Sequence, residues 1–189
     1  MTQRLLVLTA GFGEGHNAAA RVLATVWDAA HGAGSAQVVD VFALATPRLN
    51  VIARRAYLGA INRTPKLWSA FYAWLDRSHL LPRGLWLLRQ ETRLLARIIA
   101  ETRPSVIAST YPIYAFMVEQ LAHEGRVTMP HFNIVTDSIS INSLWWRAAC
   151  AGWFLPNEDS RQVLLAGGVE PARLHVSGFP VTPFFGAHA

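Results

Sequence analysis

The chain has 189 residues, a net charge of +5 and a single cysteine, Cys150. This length is enough for one domain with a hydrophobic core, and a hydrophobic content of 52% excludes a disordered chain. One cysteine excludes an intramolecular disulfide framework and a cluster of thiolate metal ligands. No stretch of the sequence reaches the roughly 18–20 apolar residues that a membrane span needs. We therefore expect any membrane contact to be made at the surface.

Short apolar segments alternate with helical ones along the chain. Strands are predicted over residues 4–9, 36–42, 105–109, 131–135, 149–155 and 173–177. Helices are predicted over residues 18–30, 113–123 and 157–166, the last capped by Asn157. This alternation predicts an α/β fold with a Rossmann-like parallel sheet and helices on both faces. Ligands bind such sheets beyond the carboxyl ends of the strands, so the loops there are the candidate site.

A glycine-rich loop, Gly11-Phe12-Gly13-Glu14-Gly15-His16, connects the first predicted strand to the first helix. Glycines at such a turn allow close approach of a ligand, so Gly11, Gly13 and Gly15 are candidate substrate-binding residues. His16 is a candidate general base. The alternative is that the glycines only make a tight turn and that His16 is structural. The loop lacks the Gly-Lys-Ser/Thr ending of a phosphate-binding P-loop.

Further candidates follow the third and fourth predicted strands. Asp137 could orient a hydroxyl or a histidine, or simply cap the next turn. Tyr111 is expected to face the same cleft as His16 and Asp137, although its neighbour Pro112 could merely start a helix. Asn142 and Trp145 lie in a loop that is too apolar for plain solvent exposure, so they line a pocket or pack beneath it.

The positive charge is concentrated between residues 48 and 103. This segment has 11 Lys and Arg against three acidic residues, a net charge of +8, while the remainder of the chain carries −3. Arginines interleaved with tryptophans favour contact with an anionic membrane. A nucleic-acid site, or an ordinary helical pair with buried tryptophans, would have the same composition. The candidate membrane-binding residues are Arg54, Arg55, Trp68, Trp74, Arg77 and Trp86.

Several segments together resemble the N-terminal domain of the monogalactosyldiacylglycerol synthase family, which includes processive diacylglycerol glucosyltransferases and is distantly similar to MurG-type transferases. The matching segments are LTAGFGEGHNAAARVL, a helical stretch with Tyr57, Trp68 and Tyr72, PSVIASTYPIY, FNIVTDSISINSLWW, and WFLPNEDSRQVLLAGGVEPARLHVSGFPVTPFF. The resemblance implies the N-terminal half of a GT-B fold. Residues 1–177 would be the acceptor-binding domain and residues 178–189 the start of a linker. The donor-binding domain would belong to a longer protein or to a partner chain.

The resemblance also implies a function. It is the inverting transfer of a hexose from a UDP-sugar to diacylglycerol or a related lipid, with His16 as the base and Asp137 beside it. No metal or cofactor other than the UDP-sugar donor is implied. The expected location is cytoplasmic, on the inner face of the plasma membrane, with a lipid acceptor and no nucleic-acid partner. Tyr111 and Asn142 stand where relatives often have histidine, so the sugar and the acceptor lipid stay open.

Two other classes of function remain open on the sequence. Gly11 and Gly13, with Asp40 at the end of the second predicted strand, are compatible with a dinucleotide-binding oxidoreductase domain. A non-catalytic membrane-binding module would also fit the basic segment.

Overall fold

A computed structural model describes residues 3–11, 13–47, 85–137 and 141–181. The strands are β1 (Leu5–Leu8), β2 (Ala36–Val39), β3 (Val106–Ser109), β4 (His131–Ile134), β5 (Gly152–Leu155) and β6 (Leu174–Val176). The helices are α1 (Glu14–His31), α2 (Val41–Ala45), α3 (Arg89–Thr102), α4 (Ile113–His123), α5 (Leu144–Arg147) and α6 (Glu158–Ala166). Two 3₁₀ turns, Leu85–Leu88 and Pro171–Arg173, precede α3 and β6.

The six strands form one sheet in the order β2-β1-β3-β4-β5-β6, and every pair is parallel. Each predicted strand segment contains one of these strands. The chain runs from β1 outward to β2, then returns to β3 on the other side of β1. The order of the strands therefore reverses between β1 and β3, and such a switch point opens a crevice at the carboxyl edge of the sheet.

Hydrophobic residues cover both faces of the sheet. Leu6 and Leu8 of β1 pack with Leu95 of α3 and Met117 of α4 on one face. Val7 points the other way and packs with Ala20 of α1. Because successive side chains of a strand alternate between faces, a fully apolar β1 is buried on both sides. The α/β, Rossmann-like fold with helices on both faces is confirmed.

Two predicted boundaries at the carboxyl edge of the sheet are wrong by three residues or more. Helix α1 begins at Glu14 and not at residue 18, since Gly13 takes the extended N-cap conformation. Strand β2 ends at Val39 and not at residue 42, because the Asp40 side chain accepts a hydrogen bond from the Ala43 amide and caps α2. Both changes bring helix termini, with their unpaired amides, up to the carboxyl edge of the sheet.

The predicted cap of the last helix is confirmed. Asn157 Oδ1 accepts hydrogen bonds from the Ser160 amide at 2.8 Å and from the Ser160 hydroxyl at 2.7 Å. At the other end of α6, Gly167 lies against the indole of Trp146, which leaves no room for a Cβ atom. This helix is therefore fixed at both ends by side-chain contacts.

Across the described ranges, no helix is both long and apolar enough to cross a bilayer.

A buried row of polar groups joins the middle of the sheet. Ser109 Oγ donates to Asn133 Oδ1 at 2.7 Å and lies 2.9 Å from Nε2 of His131. The Asn133 amide donates to the Trp145 carbonyl, which also accepts from the indole of Trp153. With its proton given to Asn133, Ser109 accepts from the Nε2–H of His131. The row thus ties β3, β4, β5 and α5 together through directional bonds in the apolar interior.

His131 is buried, and its Nδ1 has no hydrogen-bond partner among the described residues. Burial lowers the pKa of His131 to about 4, because a charged imidazolium would lose its hydration there. The unfolded chain binds a proton near pH 6.5, so acid favours unfolding. The stabilising contribution is present above pH 6.5 and is lost as the pH falls toward 4.

We predict that His131→Gln will make the protein less sensitive to acid. Between pH 7 and pH 5, protonation of this one histidine in the unfolded chain should lower the free energy of unfolding of the wild type by about 2 kcal/mol, a loss that the variant should not show. Urea unfolding at both pH values measures the difference. Replacement of the exposed His123 by Gln is the matched control and should leave the pH dependence unchanged. An equal loss in wild type and His131→Gln would contradict the assignment.

Candidate active site

The candidate site lies at the switch point of the sheet. His16 is the third residue of α1, the helix that follows β1. Tyr111 follows β3, and Thr136 follows β4. Because these strands are parallel neighbours, their carboxyl ends bring the three side chains to one edge.

The His16 ring is held on several sides. Its Nδ1 lies 2.7 Å from Oγ1 of Thr136. Its centroid lies 5.3 Å from that of Tyr111, with the rings at 78°, an edge-to-face contact. The ring also lies beside Gly13, where a Cβ atom would stand 3.4 Å from His16 Cδ2, an ordinary contact distance. Tyr111 and His16 are therefore in direct contact at this edge of the sheet.

Burial lowers the pKa of His16 below its usual 6.5. The Asp137 carboxylate opposes this shift through its charge, and a hydrogen bond with the Thr110 backbone opposes it further. The net effect keeps the imidazole neutral at pH 7, and a neutral imidazole can accept a proton. The position and the protonation state of His16 both suit a general base.

Asp137 is placed differently from the expectation that it orients the histidine. Its Oδ2 accepts a hydrogen bond from the Trp145 indole at 2.7 Å, while the hydroxyl against His16 belongs to Thr136. Asp137 therefore acts on His16 through its charge, and the sequence analysis missed the direct partner. Thr136 directly precedes the candidate residue Asp137. A threonine beside an aspartate, however, is not a sequence pattern that predicts a functional role.

Asn142 and Trp145, predicted to bind substrate, lie beneath the site. Trp145 is fully buried in a cluster with Trp153 and Leu155, and its indole N–H is engaged by Asp137. Asn142 is buried as well, and its Oδ1 accepts from the Leu144 amide at the start of α5. The structure contradicts the prediction that these two residues line a pocket. It supports the alternative, that they pack beneath the site. A fully buried indole has no surface to offer a ligand.

The glycine loop is anchored at its first glycine and open at its third. The Gly11 amide donates to Oδ2 of Asp40 at 2.9 Å, and the Ala43 amide donates to Oδ1. Gly15 lies in the first turn of α1, and a Cβ atom there would meet nothing within 4 Å. Asp40 is thus committed to two backbone amides, which leaves it poorly suited to the ribose hydroxyls of the dinucleotide alternative.

Tyr114 is a second residue that the sequence analysis missed. Its hydroxyl donates to the Thr9 carbonyl at 2.7 Å and accepts from the Val41 amide at 3.0 Å. Burial raises the pKa of this phenol well above its usual value, so it keeps the proton that it donates. Tyr114 joins the ends of β1 and β2 just below the glycine loop. Because Tyr114 lies in an apolar helical segment, only its tertiary contacts reveal this role.

Among the described residues, no three or more His, Cys, Asp and Glu side chains come together as a metal site. A cavity of about 410 Å³ lies away from the candidate site, at the amino ends of β5 and β6. Trp146, Arg147 and Arg173 contribute to its lining.

Only part of the predicted membrane-binding set can be placed. Trp86 lies in the 3₁₀ turn before α3 and is exposed. Arg54, Arg55, Trp68, Trp74 and Arg77 lie outside the described residues.

An all-parallel α/β sheet with a histidine at its switch point defines a Rossmann-like domain consistent with the N-terminal half of a GT-B glycosyltransferase. The sequence profile of the family described as monogalactosyldiacylglycerol (MGDG) synthase matches residues 16–181, and the chain belongs to this family. The resemblance seen in the motifs is thereby confirmed.

Relatives with curated names agree. The chain is 24% identical over 184 residues to the processive diacylglycerol beta-glucosyltransferase of Bacillus cytotoxicus, covering 96% of this chain and 46% of the relative. It is 23% identical over 185 residues to the enzyme of the same name from Bacillus subtilis, covering 97% and 47%. The chain spans about half the length of the curated relatives it matches, in their N-terminal half.

We predict that His16 titrates below pH 6.5, and lower still in Asp137→Asn. The substitution removes the negative charge that raises the pKa of His16, while the amide oxygen can still accept from Trp145. NMR titration of the imidazole measures both values. The exposed Asp159→Asn on α6 is the control and should leave the His16 titration in place. An unchanged or higher pKa in Asp137→Asn would contradict the electrostatic coupling.

Proposed function

We propose that the protein containing this chain transfers a hexose from a UDP-sugar to the hydroxyl of diacylglycerol or a closely related lipid. Family membership and relatives named diacylglycerol glucosyltransferases support this assignment. The observation that carries it is His16, neutral at pH 7 and bonded to Thr136 at the switch point. The chain would supply the acceptor side of the reaction, and the UDP-sugar would bind mainly to a second domain.

In the proposed reaction, the acceptor oxygen attacks the anomeric carbon while the bond from that carbon to the UDP oxygen breaks. The hydroxyl proton passes to Nε2 of His16, and UDP leaves with the electron pair of the broken bond. Attack from the side opposite UDP inverts the anomeric configuration. The Thr136 hydroxyl lies 2.7 Å from Nδ1. In the proposed reaction it accepts from Nδ1–H, which leaves the lone pair at Nε2 to take the proton.

Nearby groups would support this transfer. Asp137 carries a negative charge close to His16, and this charge stabilises the imidazolium formed when the proton arrives. The amino-terminal turn of α1 presents backbone amides that have no intrahelical partners, and these favour negative charge developing on the donor phosphates. Gly15 leaves the space beside this turn open.

The proposed acceptor sets where the enzyme works. Diacylglycerol is held in a bilayer, so the enzyme has to meet a membrane from the side that holds UDP-sugars, which is the cytoplasmic side. This supports the proposed peripheral location on the inner face of the plasma membrane. No nucleic-acid partner and no metal are part of this proposal.

The first prediction from this function concerns the 189-residue chain alone. It should fold but form no glycolipid, because holding donor and acceptor together supplies roughly 7–11 kcal/mol of the barrier reduction. Incubation with UDP-glucose or UDP-galactose and diacylglycerol vesicles tests this. Clear glycolipid formation would contradict the division of labour between two domains. Micromolar binding of NADH would favour the oxidoreductase alternative instead.

The second prediction is that His16→Ala, in the complete enzyme, lowers turnover about 10²- to 10⁴-fold. In wild type, kcat/KM should rise with pH through a midpoint below 6.5, since only the neutral imidazole accepts the proton. The variant should lose this acidic limb. The exposed His31→Ala on α1 controls for the loss of a histidine and should keep both the rate and the limb. Near-wild-type turnover in His16→Ala would rule out His16 as the base.

A further inference from the structure

Each polar atom of Trp145 has a partner within the protein. The indole N–H donates to Oδ2 of Asp137 at 2.7 Å. The carbonyl accepts from the side-chain amide of Asn133 at 3.1 Å and from the indole of Trp153 at 2.6 Å. The backbone N–H donates to the Asn142 carbonyl at 3.1 Å. Trp145 therefore joins the Asp137 carboxylate directly to the buried polar row of the sheet.

The indole of Trp145 is also fixed by its packing. The side chain is fully buried, in a cluster that includes Val135, Trp153 and Leu164. Protein interiors are close-packed, so a large ring in such a cluster keeps one orientation. The indole N–H consequently points at one place, and it can hold an acceptor there.

The Asp137 carboxylate is in a less constrained position. It lies in the loop after β4 and is only partly buried. A carboxylate at such a place can turn toward water, which screens its charge far more than the protein interior does. The bond from Trp145 is short, and its acceptor is charged, so it opposes this turn strongly. Trp145 thus decides where the negative charge stands relative to His16.

Asp137 is the charged group that acts on His16 within the described part of the chain. The phenol ring of Tyr111, which follows β3, meets the imidazole edge to face. Glu14, on the same helix as His16, is exposed and pairs with Arg21. A change at Trp145 would therefore reach His16 through the Asp137 charge.

We propose that Trp145 is a positioning residue for the proposed reaction, and that its indole N–H holds the Asp137 carboxylate where this charge stabilises the imidazolium form of His16. The inference rests on the proposed function for its catalytic meaning. The positioning itself is a property of the folded chain and can be measured without sugar transfer. It gives the buried polar row a role as well, because Asn133 and Trp153 fix the carbonyl of the same residue.

The first test is the titration of His16 in Trp145→Phe, which removes the indole N–H and keeps an aromatic ring. We expect the pKa of His16 to fall, as in Asp137→Asn, because the released carboxylate turns toward water and its charge is screened. Trp153→Phe is the matched control. It removes an indole N–H from the same cluster, while Asn133 still holds the Trp145 carbonyl. The control should lower stability and leave the His16 titration, measured by NMR, in place.

The Asp137→Asn background separates positioning of the charge from a general loosening of the cluster. If Trp145 acts through this charge, Trp145→Phe should lower the pKa of His16 no further once the charge is gone. An equal fall in both backgrounds would overturn the proposal, and so would an equal fall in Trp153→Phe.

A measurement on the wild type keeps the proposal testable if Trp145→Phe does not fold. The indole N–H resonance of Trp145 should shift with pH at the midpoint of His16, because protonation of the imidazole changes the field at the carboxylate that accepts from this N–H. The indole of Trp153 donates to a carbonyl and should shift much less. A Trp145 resonance that does not follow the His16 titration would also overturn the proposal.

The consequence for catalysis is measured in the complete enzyme. Trp145→Phe should lower kcat about tenfold, a part of the 10²- to 10⁴-fold range for a general base. KM should change little because the indole is fully buried. The acidic limb of kcat/KM should move to lower pH together with the pKa of His16. An unchanged kcat with a lowered His16 pKa would confirm that Trp145 positions the charge, and it would contradict His16 as the base of the proposed function.

Discussion

The reversal of strand order beside β1 is the constraint on which the site depends. It sends the chain to opposite sides after β1 and β3, and the helices that follow are consequently on opposite faces of the sheet. A crevice opens between them at the carboxyl edge. Tyr114 holds this edge together from below, because its buried hydroxyl joins the Thr9 carbonyl to the Val41 amide. Asp40 then fixes the glycine loop to the second strand.

The properties of His16 follow from this frame. The crevice buries the imidazole enough to lower its pKa, while Thr136 and Asp137 from a third strand supply a hydrogen bond and a negative charge. A base at this position would be neutral before the reaction because it is buried. Its protonated form would be stabilised by the negative charge of Asp137. Trp145 stabilises the arrangement from beneath. Its indole donates to the Asp137 carboxylate, and its carbonyl accepts from Asn133 and Trp153 of the buried polar row.

The same edge explains how a lipid acceptor could reach a site on an α/β sheet. The helices that cover one face end at the carboxyl edge, so residues at their termini surround the crevice. At the end of α2 and before α3 these residues include Leu44 and Trp86, whose side chains are exposed. The proposed catalytic residue and these exposed side chains share one constraint, the direction of the strands.

Local pattern in the sequence determined the six strands, their parallel arrangement, the Asn157 cap and the position of His16 after the first strand. These features depend on periodicity and on residues close in the chain. The end of β2 was misjudged because the apolar run continues through Phe42, and only the Asp40 cap shows that it turns helical.

Tertiary structure alone decided which side chains meet. Thr136 lies 120 residues from His16, and Tyr114 lies 105 residues from Thr9. Spacing along the chain carries no information about such pairs, because they depend on which strands are neighbours and on how each loop turns. The same holds for Asn142 and Trp145, because the sequence around them fits a pocket lining and packing beneath a pocket equally well. Only the packing of α5 against the sheet turned them inward.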